Sequence, residues 1–309
     1  MITCIQTFLR SYLRFSEKIY LLNYLRGGQR ILIADGHVHT PFCPHGSSDR
    51  LEEYVEWAIR QNLQEISFTE HAPLPTEFVD TTPTKDSAMS HDKLPEYIEK
   101  LSELKQKYKK SIKINIGLEI DYIDGYENNT ATWLNEIGPH LDDSILSVHF
   151  IRLDSEYYCI DYSPDYFYSI AQAAGSIDRV YELYYTALKK AVLSDLGTYK
   201  PKRIGHLTLA RKFQLKYPAE KSFSQIEEDL LYLIKKQRLA LDYNGAGVNK
   251  EYYQQPYPPH SLIEKAISLG IPLVYGSDAH TIRDLGQGFD QLHEKALLTK
   301  PSLLSQLLS

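Results

Sequence analysis

Ile31-Leu32-Ile33-Ala34-Asp35-Gly36-His37-Val38-His39 places a short apolar run directly before two imidazoles spaced two residues apart. A run of this length that ends in a polar turn reads as a buried strand, expected over residues 31–34. Asp49-Arg50-Leu51-Glu52 then has the form of a capping box, after which Leu51, Tyr54, Val55, Ala58 and Ile59 recur at helical spacing. Strand, polar turn and amphipathic helix together make one βα unit.

The same alternation continues down the chain. Strands are expected over residues 65–69, 112–120, 145–150, 203–207, 239–243 and 272–275. Helices are expected near residues 93–110 and over 176–193, 224–236 and 260–269, the last stopped by Gly270. That gives seven candidate parallel strands. No Gly-, Ser- or Pro-rich linker divides them and no internal repeat appears, so residues 31–309 read as one α/β domain. The 309 residues suit a single barrel as well as two average domains. A polar stretch over residues 72–91, carrying Pro73, Pro75 and Pro83, is expected to form a loop over the site.

With 43% hydrophobic and 24% charged residues the chain is an ordinary globular protein, which excludes disordered and collagen-like architectures. Its net charge of −6 gives no basic footprint for a nucleic-acid backbone. Cys4, Cys43 and Cys159 are odd in number, widely spaced and without a CxxC pair, so a reducing, cytoplasmic setting is expected. Residues 1–30 differ from the rest. Arg10, Arg14, Lys18, Arg26 and Arg30 against Glu17 make this basic amphipathic extension +4 and leave −10 to the remainder. Its apolar residues are interrupted by charge, so no membrane span is expected.

The chemistry emerges when metal-type side chains are placed on the expected strands. His37 and His39 follow the first strand and His45 lies in the next turn. His71, Glu119, His149 and His206 fall at the ends of later strands, and Asp278 and His280 follow the last. The C-terminal ends of parallel barrel strands converge on one face, where active sites are built. In extended backbone, residues i and i+2 point the same way, which brings His37 with His39, and Asp278 with His280, toward one pocket. Imidazoles crowded around two carboxylates are expensive to desolvate. Divalent metal ions resolve that cost, because imidazole and carboxylate together suit Zn, Mn or Fe.

The phrases Asp35-Gly36-His37-Val38-His39-Thr40, Thr69-Glu70-His71, Gly117-Leu118-Glu119-Ile120-Asp121-Tyr122, Ser147-Val148-His149-Phe150, Gly205-His206-Leu207 and Gly276-Ser277-Asp278-Ala279-His280 resemble, in order, the motifs of the PHP (polymerase and histidinol phosphatase) superfamily. The resemblance spans residues 32–288. Met89-Ser90, Arg211-Lys212-Phe213 and Leu285-Gly286-Gln287-Gly288-Phe289-Asp290 are similar to its histidinol-phosphatase branch. The residues after His149, Ile151-Arg152-Leu153-Asp154, depart from the small, Gly-containing run of that branch.

What the resemblance implies is an α/β fold, a distorted seven-stranded (β/α) barrel of TIM-like form, holding two to three divalent ions. His37, His39, Glu119 and Asp278 resemble the set around one ion. Glu119 would bridge to a second that takes His149 and His206, and His45, His71 and His280 would surround a third. The implied reaction is hydrolysis of L-histidinol phosphate to L-histidinol and phosphate in histidine biosynthesis, by attack of a metal-bridged hydroxide on phosphorus, with Glu119 and Asp278 as the catalytic carboxylates. Arg211 and Arg152 are candidate grips for the phosphate of this small-molecule monoester. The alternatives are another phosphoesterase of the superfamily, acting on nucleotides or sugar phosphates, and a non-catalytic metal-binding domain. The latter would show lost ligand positions, and none of the nine is lost. Cys43 beside His45 lacks the phosphate-cradling loop that a cysteine phosphatase requires.

Overall fold

The computed structural model describes residues 25–26 and 29–309, with side chains from Ile31 onward. What the sequence leads one to expect of residues 1–24 lies outside the described residues. A short antiparallel pair, Leu25–Arg26 with Gln29–Arg30, comes first. The strands of the domain are β1 (Ala34–Val38), β2 (Glu65–His71), β3 (Lys113–Asp121), β4 (Asp143–Ser147), β5 (Phe150–Leu153), β6 (Glu156–Cys159), β7 (Arg203–Ile204), β8 (Ala240–Asn244) and β9 (Leu273–Gly276). Strands β5 and β6 form an antiparallel hairpin of their own. The other seven make one parallel sheet in the order β1-β2-β3-β4-β7-β8-β9.

That sheet curls until its edges meet at one end. Val38 bridges Ala279 in parallel, the His39 N–H donates to the Ala279 carbonyl at 2.9 Å, and the Asp278 N–H donates to the His37 carbonyl at 2.7 Å. The result is a nearly closed TIM-like barrel, as the resemblance implied. At the opposite end the tail acts as a stopper. The Thr299 N–H donates to the Leu273 carbonyl at 2.7 Å, and Ser302 donates through N and Oγ to the Glu65 carboxylate at 2.8 and 2.6 Å.

Helices α1 (Leu51–Arg60), α2 (Leu94–Tyr108), α3 (Glu127–Ile137), α4 (Pro164–Ala174), α5 (Ile177–Leu193), α6 (Ser224–Lys236), α7 (His260–Ser268) and the short α8 (Leu304–Leu307) complete the domain. Most of the long helices turn an apolar stripe to the sheet. In α5 these are Val180, Tyr184, Leu188 and Ala191, at the three- and four-residue steps of a helical face.

Two local expectations are corrected. The first strand begins at Ala34 rather than at residue 31, so His37 lies inside it. Its limits are set by pairing with β2 and by closure against Ala279, not by apolarity, and its register with β2 shifts between Asp35 and Val38. The capping box slides by one residue: the Arg50 N–H donates to Glu53 at 3.4 Å, while the Asp49 carboxylate accepts from the Ile282 N–H at 2.9 Å.

Candidate metal centre

Parallel strands all end on one face, and nine side chains expected to hold metal gather there. The rings of His37 and His39 lie 5.2 Å apart at the end of β1. His39 stands 4.2 Å from His71 and 4.0 Å from His280, measured between ring centroids. His149 lies 5.5 Å from His71 and 4.9 Å from His206, which closes the circle toward His37 at 6.1 Å. His45 stands at the outer edge, 5.1 Å from both His71 and His280.

Glu119 occupies the middle. Its Oε1 accepts from Ser147 Oγ at 2.6 Å and lies 2.9 Å from His206 Nε2. Its Oε2 lies 3.1 Å from His71 Nδ1, 3.4 Å from His37 Nε2 and 3.6 Å from His39 Nε2. Asp278 Oδ1 is 3.1 Å from His39 Nε2 and 3.7 Å from His37 Nε2. Asp278 does not continue an extended strand. Its φ of 53° is left-handed, a conformation that costs a non-glycine residue about 1–3 kcal/mol. The turn, rather than strand alternation, sets Asp278 beside His280, whose Nδ1 lies 3.1 Å from the Asp278 carbonyl.

The chemistry of the donor set fits divalent cations. His37 Nε2, His39 Nε2, His71 Nδ1 and Glu119 Oε2 are buried, point at one another and have no hydrogen-bond partner. Buried polar atoms are almost always paired, so a convergent group of unpaired lone pairs calls for a positive centre. Among the described residues the donor atoms fall into three groups with all separations within 4.8 Å: His37, His39 and Asp278; Glu119, His149 and His206; and His39, Cys43, His71 and His280.

A ring of outer partners orients the imidazoles. Asp242 Oδ2 lies 2.9 Å from His37 Nδ1, Glu70 Oε1 is 3.1 Å from His39 Nδ1, and Asp121 Oδ1 is 2.8 Å from His149 Nδ1. The Asp86 carbonyl is 2.8 Å from His45 Nδ1. Such partners fix which ring nitrogen keeps its proton and aim the other inward. Burial works against charge on Glu119 and Asp278, but His37 and the neighbouring imidazoles outweigh it and hold both carboxyls well below the usual range. Burial, joined by the charge of His39, lowers His71 and His280. Burial pushes the Cys43 thiol up, away from nucleophilic use.

Beside the cluster is a cavity of about 220 Å³ lined by residues that include His45, His71, His149, Asp161, Tyr162 and Lys212. The expected loop forms its roof. Asp80 ties that loop to itself, accepting from the N–H and hydroxyl of Thr82 at 2.8 and 2.7 Å and from those of Ser87 at 3.0 and 2.7 Å. The two arginines expected to grip phosphate lie elsewhere. Arg211 turns away from the cavity and donates from Nε and Nη2 to Glu227 at 2.7 and 2.6 Å. Arg152, on β5, donates to the Asp154 carbonyl at 2.9 Å and is exposed. The cation in the cavity is Lys212, whose Nζ donates to the backbone and side chain of Asp161 at 2.7 and 2.9 Å. In the tight turn Leu209–Phe213, successive side chains diverge, so Arg211 faces the helices and Lys212 the site. Asp242 and Lys212 had no sequence-based assignment. The pair Asp242 and Asn244, at i and i+2 on β8, repeats the spacing of His37 and His39 and was the available signal.

Comparison with known proteins agrees with this geometry. The sequence profile of the PHP domain matches residues 35–246. The histidinol-phosphatase of Bacillus subtilis is 45% identical over 84% of this chain and 98% of its own length. Among solved structures, a Listeria monocytogenes protein described as histidinol phosphatase hisK superposes with a TM-score of 0.80 at 37% identity, covering 84% of this chain and all of that one. Histidinol phosphate phosphatase of Lactococcus lactis, complexed with zinc, L-histidinol and phosphate, shares the fold with a TM-score of 0.63 at 22% identity, over 87% of this chain and 95% of that one. The barrel, the order of its strand-end motifs and these relatives place the chain in the PHP-domain family, in its histidinol-phosphatase branch.

Proposed function

We infer that the protein hydrolyses L-histidinol phosphate to L-histidinol and phosphate, a step of histidine biosynthesis, with two to three divalent ions held by His37, His39, His45, His71, Glu119, His149, His206, Asp278 and His280. The observation that carries this reading is the convergence of unpaired, buried imidazole and carboxylate atoms beside a cavity that holds both a cation and acids. Zn, Mn or Fe suits such donors. When bound, the ions neutralise phosphate oxygens and lower the pKa of water, the two demands of monoester hydrolysis at neutral pH. The chain supplies the rest. Lys212 presents its ammonium to a phosphate oxygen, and Asp161 and Asp86 offer carboxylates to the substrate amine. The loop tied by Asp80 covers the reacting groups against water. Among the described residues no helix is long and apolar enough to cross a membrane. The free thiols of Cys43 and Cys159 suit a cytoplasmic setting.

A panel of phosphate monoesters tests this. L-histidinol phosphate is expected to show kcat/KM at least about a hundredfold above p-nitrophenyl phosphate, because contacts to the amine and imidazole supply roughly 2.7 kcal/mol of transition-state binding. Equal turnover, or preference for a nucleotide, would make the protein a phosphoesterase of other specificity. Lys212→Met is expected to lower kcat/KM for both esters by about tenfold, the loss of one charged contact to the phosphate they share. Arg211→Met should instead lower Tm, because it removes the guanidinium from the buried Glu227 carboxylate and leaves the Tyr185 hydroxyl to serve it without a counter-charge.

The boundary at residue 30 is a separate proposal. All proposed ligands lie beyond it, so a protein lacking residues 1–30 is expected to keep more than half of its phosphatase activity. Insoluble or inactive protein would show that these residues are part of the domain.

A further inference from the structure

Beneath the metal centre the barrel encloses a charged side chain that the reaction does not call for. Arg203, on β7, has no solvent exposure. Its Nη2 donates to the Gly36 carbonyl at 2.8 Å and to Asp143 Oδ2 at 2.6 Å, and its Nη1 stands 3.6 Å from Asp242 Oδ1. Asp242, equally buried, directs its other oxygen to His37 Nδ1 at 2.9 Å, and that oxygen also accepts from Asn244 Nδ2 at 3.1 Å. A line of polar contacts therefore runs from the barrel interior to an imidazole of the centre.

Two glycines keep that line open. A Cβ on Gly36 would stand 2.4 Å from Arg203 Nη1. One on Gly276 would stand 2.4 Å from Asp242 Oδ1 and 2.5 Å from the His37 Cβ. Both glycines sit inside the motifs that carry the ligands, Asp35-Gly36-His37 and Gly276-Ser277-Asp278. Their lack of a side chain is explained by what passes beside them.

We propose that Arg203 is a positioning residue of the metal centre, acting through Asp242 to hold His37 with its proton on Nδ1 and its Nε2 lone pair toward Glu119 and Asp278. This rests on the reading of His37 as a ligand. An ionised carboxylate can only accept, so His37 must donate from Nδ1, and only Nε2 is left to bind a cation. A carboxylate with no exposure needs a counter-charge, which the guanidinium provides. If Arg203 served stability alone, apolar packing would do as well, since replacing buried ion pairs by hydrophobic residues is often neutral. Its link to Asp242 is what apolar packing cannot replace.

The test is a double-mutant cycle on the affinity of the metal-free protein for Mn²⁺, measured by competition with a chelator at fixed pH. Asp242→Asn and Arg203→Met are each expected to weaken Mn²⁺ binding by about tenfold or more, the range for outer partners of metal ligands. In the Asp242→Asn background, Arg203→Met should add less than a further twofold, because its route to the metal is already cut. Arg203→Lys keeps the charge, but an ammonium cannot span Asp143 and Asp242 together. It should weaken binding at least threefold with the same non-additivity, and it carries the cycle if the methionine variant does not fold. Equal losses in both backgrounds, or a lowered Tm with unchanged affinity, would overturn the proposal. His37→Ala separates the two readings: if it leaves Mn²⁺ affinity intact, His37 is not a ligand and the assignment of the centre fails. If it abolishes binding while the cycle is additive, only the role of Arg203 fails.

Discussion

Glu119→Gln is expected to lower kcat/KM for L-histidinol phosphate by at least about a thousandfold and to leave the purified protein with less than half of its metal. Its two oxygens stand at the centre of the cluster. Oε1 serves Ser147 and His206, while Oε2 stands within 3.6 Å of His71, His37 and His39. An amide keeps the size of the carboxylate but removes its charge and turns one acceptor into a donor aimed at imidazole nitrogens. On the proposed assignment Glu119 serves more than one ion, and the loss of such a charged group justifies the size of the effect. The barrel should remain, because Glu119 is held by backbone pairing on both sides of β3, with His71 on β2 and Ile145 on β4. Circular dichroism and elemental analysis would accompany the kinetics. Activity above a tenth of the parent would place the reaction elsewhere.

The second large effect is the pH dependence of metal capture. Burial disfavours charge on His39, but the close carboxylates of Asp278 and Glu70 overcome it and raise the group to about 9. In the same way, Asp121 and Glu119 overcome burial at His149 and raise it to about 10. Near neutral pH the metal-free protein therefore carries protons on imidazoles that must be neutral to bind a cation. Each displaced proton makes the apparent affinity rise about tenfold per pH unit, so two should give about a hundredfold per unit between pH 6 and 8. Stability moves the other way. Both groups have folded values above the unfolded 6.5, so their contribution to the metal-free protein is complete below pH 6.5 and is lost as pH rises through 9 to 10. The Tm of the metal-free form should fall over that interval while the gain in Tm on adding metal grows. Calorimetry in buffers of different ionisation enthalpy counts the protons released. An affinity that is flat with pH would mean that His39 and His149 are already neutral.

The parts legible in the sequence were those with short-range causes. Six of the seven barrel strands were expected close to where they lie, because both faces of a parallel strand are buried and the residues read as apolar runs; the first was expected at residues 31–34, ahead of its place at Ala34–Val38, because its limits come from pairing. Helix α3 was not, since only Thr130 and Leu134 of its eleven residues are buried and no apolar period marks it. The omission of α4 has a different origin. Its signals were all local: Ser163 caps the first turn by accepting from the Tyr166 N–H, Pro164 follows, and Gly175 ends the helix with φ at 92°. The hairpin β5–β6 likewise turns at Asp154, with φ at 55°. The residues that gather in the candidate metal centre could be named from their types at strand ends. The direction of Arg211 could not, because it depends on Glu227, sixteen residues away on a helix whose packing no local pattern states. Asp242 was hidden for the same reason, being meaningful only once β8 lies beside β9 and beneath His37.

The closure of the barrel by its first and last strands also dictates an order of assembly. Ser277 and His37 touch across 240 residues of sequence, so contacts of this kind form late and favour slow folding. In the order of synthesis, His37, His39, His45 and His71 precede Asp278 and His280. Until β9 docks, a cation meeting the nascent chain encounters imidazoles without the Asp278 carboxylate, a softer set that favours copper or nickel over manganese or iron. On the proposed assignment, the complete ligand set exists only once the barrel has closed, so the ions that meet the folded barrel govern which ones it carries.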